Sequence, residues 1–159
     1  MAIVLNLSFK SEHETQAFSQ QLAQCTHSIN QAIVIYLEGD LGAGKTTLAR
    51  AFIQNFGFDR VKSPTYSLVE SYQNSDINIH HFDCYRLSDP EELEYIGIRD
   101  YLGDKHIQLI EWPTLGKGAI APADLSITLS GIDEQRQLSI TTHTPIGEQL
   151  LQCINALIV

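Results

Sequence analysis

The sequence has little basic charge. Lysine and arginine together number 10, aspartate and glutamate number 19, and the formal net charge of the 159-residue chain is −9 at pH 7. Because such a chain repels the phosphates of nucleic acids, a basic surface that grips RNA or DNA is not expected. If the protein serves a nucleic acid process, we expect it to act through a protein partner and to meet the nucleic acid only indirectly.

Cysteine is scarce as well. Cys25, Cys84 and Cys153 are far apart, odd in number and outside any C-x-x-C pair. That spacing argues against a disulfide framework and against a structural zinc site. It favours a protein of the reducing cytosol.

The chain also lacks long apolar runs, internal repeats and low-complexity tracts. No apolar run approaches the ~20 residues that span a bilayer, and residues 1–10 lack the basic, apolar and small-residue regions of a signal peptide. These absences predict a soluble, unprocessed cytoplasmic protein with no membrane partner. With 43% hydrophobic residues, the chain can form one domain with its own core but not two full domains.

The most informative segment is GDLGAGKT at positions 39–46, which matches the phosphate-binding pattern G-x-x-x-x-G-K-[ST]. An apolar run at 32–37 precedes it and a helical pattern at 46–53 follows it, as this loop requires. The glycines allow a tight turn whose N–H groups point at a phosphate. Lys45 can then reach the β- and γ-phosphates, and the Thr46 hydroxyl can ligate Mg²⁺. We therefore predict a nucleotide-binding protein.

Alternating apolar residues, capping residues and turn signals divide the rest of the chain into strands and helices. Strands are predicted at 2–9, 32–37, 66–72, 77–83, 107–112, 125–129 and 137–142. Helices are predicted at 12–25 and 46–53, as two short helices within 91–101, and from 144 onward. Short turns join the third strand to the fourth and the sixth to the seventh, which predicts two antiparallel hairpins. The result is an α/β, P-loop NTPase-like single domain over residues 1–159, with a mixed β-sheet of about seven strands flanked by helices.

Ser11 opens the first predicted helix. The segment SEHE at 11–14 matches the capping box, in which the Ser11 hydroxyl accepts from the Glu14 amide and the Glu14 carboxylate reaches back. A helix cap is the simpler explanation of this serine. A short P-loop chain has few segments left to hold the nucleotide base, however, and a cap next to the phosphate-bearing strand is one candidate.

A P-loop hydrolase needs a second acid at the carboxyl end of a neighbouring strand, to hold Mg²⁺ or to polarise the attacking water. Glu111 ends the apolar run at 107–110, and Asp83 ends the run at 77–82. Either could instead be a solvent-facing carboxylate, as most surface acids are. Because a phosphate loop is present, we predict Glu111 as the metal ligand, ahead of Asp83.

Thr65 lies in the segment SPT at 63–65, in the loop after the first crossover helix. Nucleotide switches place a threonine there that senses the γ-phosphate and its metal. From spacing alone, the same segment is a proline-containing turn before a strand. Spacing alone favours the turn over the switch.

The segment HHFDC at 80–84 is rich in possible metal ligands. Neighbouring residues on a strand point to opposite faces of the sheet, so these side chains do not converge. We predict no metal site there.

Four segments together closely resemble the TsaE (YjeE) family in order and spacing: GDLGAGKTT at 39–47, SPTYSL at 63–68, HFDCYR at 81–86 and IEWP at 110–113. The resemblance implies an ATPase component of the bacterial machinery that forms N6-threonylcarbamoyladenosine at position 37 of tRNAs reading ANN codons. Family members act with the TsaD and TsaB proteins after TsaC has made threonylcarbamoyl-adenylate. The implied cofactors are ATP and Mg²⁺.

The same resemblance assigns roles to individual residues. It puts Lys45 on the phosphates, Thr65 in a switch-like catalytic loop and Asp83 in a catalytic role. It puts Thr46 and Glu111 on Mg²⁺. The other residues expected to bind the nucleotide are Asp40, Leu41, Gly42, Ala43, Gly44 and Thr47 of the loop, with Ser11, Trp112 and Arg136.

The sequence also allows three functions other than that of an ATPase in tRNA modification. A small-molecule kinase also begins with this loop, but kinases bring several arginines from a lid over the phosphates. Here the arginines are scattered, at positions 50, 60, 86, 99 and 136. A GTPase would need the guanine-selective N-K-x-D tetrad, which is absent. A nucleotide-gated interaction module would turn over ATP only incidentally, and between enzyme and switch we expect slow turnover without partners.

Overall fold

The computed structural model describes residues 2–103 and 105–158 of the chain. Within these residues, seven strands form one sheet with helices on its faces, so the predicted α/β class is confirmed. The strands are β1 (Val4–Phe9), β2 (Ile33–Glu38), β3 (Val69–Gln73), β4 (Asn78–Asp83), β5 (His106–Glu111), β6 (Leu125–Ser130) and β7 (Arg136–Thr142). The helices are α1 (Glu12–Ile29), α2 (Lys45–Gln54), α3 (Glu91–Tyr95) and α4 (Pro145–Ile158), with 3-10 helices at Ile98–Tyr101 and Pro113–Gly116. None of the described helices is both long and apolar enough to cross a bilayer.

The strand order across the sheet is β1-β7-β6-β2-β5-β4-β3. β2 runs parallel to both of its neighbours, β5 and β6, and β4 runs parallel to β5. The pairs β3–β4 and β6–β7 are the predicted antiparallel hairpins, and β1 adds to β7 in antiparallel direction. Because parallel strands end at the same edge, the carboxyl ends of β2, β4 and β5 lie side by side. Open α/β sheets bind their ligands at that edge.

The central strand β2 is covered on both sides, as expected of a parallel strand. Ile33, Ile35 and Leu37 are fully buried in a core shared with α1, α2 and α4. Val34 and Tyr36 alternate with them and pack on a smaller cluster, to which α3 and the 3-10 helix Ile98–Tyr101 contribute. The long helices therefore cover one face of the sheet and the short helices cover the other.

Helix α1 begins where its sequence predicts and ends later. The Glu14 N–H donates to Ser11 Oγ (3.3 Å), so Ser11 caps the helix. The Glu14 carboxylate accepts from the Lys10 N–H (2.6 Å) instead of reaching back to Ser11, so the second half of the predicted capping box is wrong. The helix runs to Ile29 rather than to residue 25, because Thr26 is buried on the core and the turn closes only at the left-handed Asn30, whose N–H donates to the Thr26 carbonyl (3.3 Å).

The strand predicted at 66–72 starts three residues later, at Val69. Residues 64–67 form a turn, in which the Leu68 N–H donates to the Pro64 carbonyl (2.9 Å). Leu68 has a φ of 70°, a left-handed conformation that cannot continue a strand. This part of the prediction is wrong because the proline starts a turn inside the alternating pattern. The loop that carries Thr65 is correspondingly longer.

The prediction against a disulfide is also wrong. Cys25 in α1 and Cys153 in α4 are disulfide-bonded, with their Cα atoms 5.8 Å apart. The two cysteines are separated by 128 residues, so only the packing of α1 beside α4 brings them together. Cys84 is a free cysteine in the smaller cluster, and burial raises the pKa of its thiol to about 12.

His80 in β4 packs on the face covered by the short helices. Its Nδ1 lies 2.8 Å from Ser71 Oγ, and its Nε2 lies 2.8 Å from Nδ1 of His106. The Tyr101 ring meets the imidazole edge-on at 4.8 Å between centroids. Burial and then the proximity of His106 lower the pKa of His80 from its usual 6.5 to about 4.

This histidine should make stability depend on pH. Between pH 4 and pH 6.5 the unfolded chain binds a proton at His80 that the folded protein excludes, so the free energy of unfolding rises with pH in that window. We expect acidification from pH 6.5 to pH 4 to remove about 1 to 3 kcal/mol at this residue. Thermal melts at several pH values check this. The variant His80→Gln should lose that part of the pH dependence, whereas His13→Gln, at an exposed position of α1, should keep it.

Candidate nucleotide-binding site

The phosphate-binding loop connects β2 to α2 at the carboxyl edge of the sheet. Gly39 and Gly44 have positive φ values of 139° and 107°. A Cβ on Gly39 would collide with the backbone carbonyl of Leu129, and at Gly44 the left-handed φ itself requires glycine. The loop can therefore take this path beside β6 only with glycine at these positions. It leads into Lys45, the first residue of α2, where the helix N-terminus supplies partial positive charge for an anion.

Lys45 is held under this loop and is 4% exposed. Its Nζ donates to the carbonyl oxygens of Gly39 (2.6 Å) and Asp40 (2.9 Å). It also lies 4.5 Å from the centroid of the Trp112 ring, a cation–π contact. An ammonium has three N–H donors, so one is left for a phosphoryl oxygen. Burial lowers the pKa of Lys45, and the nearby Glu111 carboxylate acts in the opposite direction.

The two predicted acids meet at the same edge. Asp83 and Glu111 are direct partners in the parallel register of β4 and β5, and Glu111 also pairs with Leu37 at the end of β2. Glu111 is 2% exposed, and both of its carboxylate oxygens have partners. The Thr46 hydroxyl donates to Oε1 (3.2 Å), and His81 Nε2 lies 2.5 Å from Oε2. The parallel sheet thus brings both strand-end acids to the N-terminus of α2.

Asp83 is in a different hydrogen-bonding environment. Its Oδ1 accepts from the Tyr85 N–H (3.0 Å). Burial raises the pKa of Asp83, and the negative charge of Glu111 raises it further. The hydrogen bond from Tyr85, with His81 and Lys45, acts against that rise. The result is a buried carboxylate with one oxygen left to accept a hydrogen bond.

A cleft of about 470 Å³ lies over these groups. Most of the predicted site residues line it, namely Leu41, Gly42, Gly44, Lys45, Thr46, Thr47, Thr65, Asp83, Glu111, Trp112 and Arg136. A somewhat larger cavity, about 540 Å³, lies between the carboxyl-terminal parts of α1 and α2 and the β3–β4 turn. None of the predicted site residues lines that second cavity, so the cleft over the phosphate loop is the candidate site.

Three predicted residues do not line the cleft. Asp40 contributes its carbonyl to Lys45, and Ala43 is buried behind the loop, where its N–H donates to the Asp40 carbonyl (3.1 Å). Ser11 acts as the helix cap described above. The first turn of α1 nevertheless borders the loop, because Glu12 lines a small adjoining cavity of about 60 Å³ together with residues of the phosphate loop.

Arg136, Trp112 and Thr65 reach the cleft from three directions. The Arg136 guanidinium, at the start of β7, donates from Nη2 to the Gly42 carbonyl (3.3 Å) and thereby braces the loop. Trp112 follows β5 with a left-handed φ of 54°, which turns its ring beneath Lys45. Thr65 lies in the turn after Pro64, with its hydroxyl 2.7 Å from Ser63 Oγ.

Sequence reasoning missed three residues at this site. Tyr85 and Arg86 line the cleft, and both belong to the HFDCYR segment, from which only the aspartate received a role. The third is His81, whose ring lies behind Glu111. Its position two residues before Asp83 puts both side chains on the same face of β4, and this period of two was the available signal. The prediction considered neighbouring residues only.

The residues of the cleft fit a nucleotide phosphate and Mg²⁺. A hydroxyl and a carboxylate within 3.2 Å of each other offer the hard oxygen ligands that Mg²⁺ takes from a P-loop protein. The loop N–H groups, the start of α2 and Lys45 supply the positive charge that phosphate requires.

Comparison with known proteins places this chain in a family. A family model described as "Threonylcarbamoyl adenosine biosynthesis protein TsaE" matches residues 9–138. A Haemophilus influenzae relative named tRNA threonylcarbamoyladenosine biosynthesis protein TsaE is 46% identical over 126 residues, which cover 79% of this chain and 80% of that protein. A Bacillus subtilis relative of the same name is 34% identical over 110 residues, 68% of each protein.

The fold comparison agrees. The crystal structure of Bacillus subtilis YdiB matches with a TM-score of 0.81 at 25% sequence identity, covering 100% of this chain and 99% of that one. The chain thus has the P-loop NTPase fold over its full sheet. The matched residues 9–138 include the phosphate loop, both acids and Arg136. The chain belongs to the TsaE family of tRNA threonylcarbamoyladenosine biosynthesis.

Proposed function

We propose that this protein is an ATPase required to form N6-threonylcarbamoyladenosine at position 37 of tRNAs reading ANN codons, and that it hydrolyses ATP to drive or reset a TsaD–TsaB complex. The observation that carries the proposal is the meeting of Lys45, Thr46 and Glu111 at the N-terminus of α2. These residues offer a phosphate group a cation, helix N–H donors and a pair of metal-ligating oxygens. Family membership supplies the pathway.

The residues around the phosphates divide the work of binding. Lys45 uses its remaining N–H on a phosphoryl oxygen, while its contacts to Gly39 and Asp40 hold the ammonium in place. Thr46 Oγ1 and Glu111 Oε1 would hold Mg²⁺. When bound, the ion supplies charge neutralisation and orientation of the phosphoryl oxygens.

Asp83 is placed to act on the attacking water. Its Oδ1 is fixed by the Tyr85 N–H, so its Oδ2 can accept a hydrogen bond from water in the cleft. Because burial raises the pKa of Asp83, its carboxylate is a stronger base than that of an exposed aspartate. Glu111 has both oxygens engaged and is less suited to that task. We therefore assign Asp83 to the water and Glu111 to the metal.

The charge of the chain supports action through protein partners. A net charge of −9 disfavours direct contact with tRNA, so TsaD and TsaB would carry the tRNA and this protein would dock on them. Because these partners would act on tRNA, we infer that the protein works in the cytoplasm. A kinase is less well supported, because among the described residues only Arg86 and Arg136 bring a guanidinium to the cleft lining.

A reconstituted modification assay tests the proposal. Unmodified tRNA is incubated with TsaB, TsaC, TsaD, threonine, bicarbonate and ATP, and modified nucleoside is counted over many cycles. We expect repeated turnover only with this protein present, accompanied by release of free phosphate. The variant Glu111→Gln should reduce turnover at least 100-fold, since it removes the carboxylate charge at the metal position.

Glu38→Gln is the matched control, because Glu38 ends the neighbouring strand β2 on the opposite face of the sheet. The assay with this variant should yield as much modified tRNA as the assay with the wild type. Modification that proceeds equally well without the protein would contradict the proposed function. Transfer of the γ-phosphate to a small molecule, instead of free phosphate, would favour the kinase.

A further inference from the structure

His81 makes one polar contact in the described chain, and that contact is to Glu111. The histidine is 1% exposed, and its Nε2 lies 2.5 Å from Oε2 of Glu111. A carboxylate only accepts hydrogen bonds, so Nε2 carries the proton that is shared. The other nitrogen, Nδ1, is buried and has no hydrogen-bond partner among the described residues.

The neighbouring histidine shows what a structural role looks like. Both ring nitrogens of His80 have partners, in Ser71 and His106. His80 therefore links the strands β3, β4 and β5 on the face of the sheet opposite His81. In His81, by contrast, Nε2 contacts Glu111 while the buried Nδ1 is unpaired among the described residues. Burying an unpaired polar atom costs free energy. The contact to Glu111 offsets that cost and explains why a histidine occupies this position.

The contact determines which way Glu111 faces. With Oε2 held by His81, the carboxylate can turn only Oε1 toward the Thr46 hydroxyl. We propose that His81 is the positioning residue of Glu111, which fixes its carboxylate so that Oε1 and the Thr46 hydroxyl form a ready pair of ligands for Mg²⁺. The inference rests on the metal site of the proposed function and adds the residue that orients it.

A residue that orients a metal ligand acts mainly on the affinity of the protein for the metal. Residues that hydrogen-bond a metal ligand typically change metal affinity by 10- to 100-fold when they are replaced. Without His81, no described side chain holds Oε2, and the Glu111 carboxylate can rotate away from the Thr46 hydroxyl. Nucleotide binding without the metal depends on the phosphate loop and Lys45, and it should be unaffected.

The experiment separates these two kinds of binding. Trp112 is the single tryptophan and packs on Lys45, so its fluorescence reports ADP binding. ADP affinity is measured with Mg²⁺ and with a chelator, and the ratio of the two gives the contribution of the metal. In His81→Met, which has the reach of histidine but no donor, we expect that ratio to fall at least tenfold while the affinity in chelator stays the same.

Two variants sharpen the result. His81→Gln places an amide N–H at the same distance along the side chain and should restore most of the ratio. His80→Gln changes the adjacent histidine on the opposite face and should leave the ratio at the wild-type value. An unchanged ratio in His81→Met would overturn the inference while the proposed function stands. A wild-type protein that does not bind ADP at all would instead contradict the proposed function.

A second measurement does not depend on whether His81→Met folds. In wild-type protein labelled with ¹⁵N at histidine, His81 is identified as the resonance that disappears in His81→Gln. We expect it to be protonated at Nε2, and its Nε2 signal to shift when Mg²⁺ is added to the ADP-bound protein but not when ADP is added with chelator. A ring that carries no proton at Nε2, or an Nε2 signal indifferent to Mg²⁺, would overturn the inference even if His81→Met fails to fold.

Discussion

Replacing Lys45 by alanine is expected to lower ATP hydrolysis by a factor of about 100 or more. The side chain is 4% exposed, so its charge acts on the phosphates without a full layer of water between them. Hydrogen bonds to charged groups contribute about 1.5 to 3 kcal/mol each, which alone predicts roughly ten- to 100-fold weaker ADP binding. Phosphate release measures the first loss, and titration calorimetry with ADP measures the second, because the variant also removes the contact between Lys45 and Trp112.

The control for this variant is Lys117→Ala. Lys117 is an exposed lysine that borders a different cavity, beside the 3-10 helix Pro113–Gly116, and its loss should leave both measurements unchanged. Lys45 has contacts of its own in the folded protein, with Gly39, Asp40 and Trp112. A thermal melt of the variant therefore has to show that the fold is intact. Wild-type rates in a folded Lys45→Ala protein would remove the phosphate loop from the mechanism.

The second large effect concerns stability. Cys153→Ser should lower the free energy of unfolding by about 2 to 4 kcal/mol, or lower the melting temperature by roughly 10 °C. The disulfide closes a loop between cysteines separated by 128 residues, so its loss frees a large part of the unfolded chain. It also removes a covalent link between α1 and α4, both of which pack on the main core. Thermal melts with and without reductant measure the effect.

The wild type and the variant should respond differently to reductant. Reduction should lower the melting temperature of the wild type toward that of Cys153→Ser, whose own value should not move. Thiol titration in denaturant should find one free thiol, Cys84, before reduction and three afterwards. Three thiols in unreduced protein would show that the bond does not form in solution.

The features that sequence predicted correctly have local signals. The phosphate loop is a contiguous motif, and the strands before Asp83 and Glu111 have apolar runs whose parallel packing brings strand ends together. The Cys25–Cys153 bond has no such signal, because its two residues come from helices at opposite ends of the chain. The late start of β3 depends on the left-handed Leu68, which an alternating pattern cannot reveal.

The partner of Glu111 is an intermediate case. The period of two along β4 puts His81 on the same face as Asp83, so the sequence contains its approximate location. The distance to Glu111 depends on the register between β4 and β5, however, in which His81 pairs with Leu109 and Asp83 pairs with Glu111. Register between strands that are distant in sequence is a tertiary property, and periodicity within one strand does not determine it.

The pairing of Asp83 with Glu111 has a consequence for how the site moves. The Cys84 N–H donates to the Glu111 carbonyl (3.0 Å), so both acids belong to one continuous backbone ladder in the middle of the sheet. The Asp83 N–H, by contrast, donates to the Leu68 carbonyl (3.0 Å), at the end of the turn that carries Thr65. Thr65 is in an exposed turn next to Tyr66, which is 85% exposed, and this turn can open by itself. The cleft therefore joins a wall that opens only with the sheet to a turn that can open separately, and Asp83 lies where the two meet.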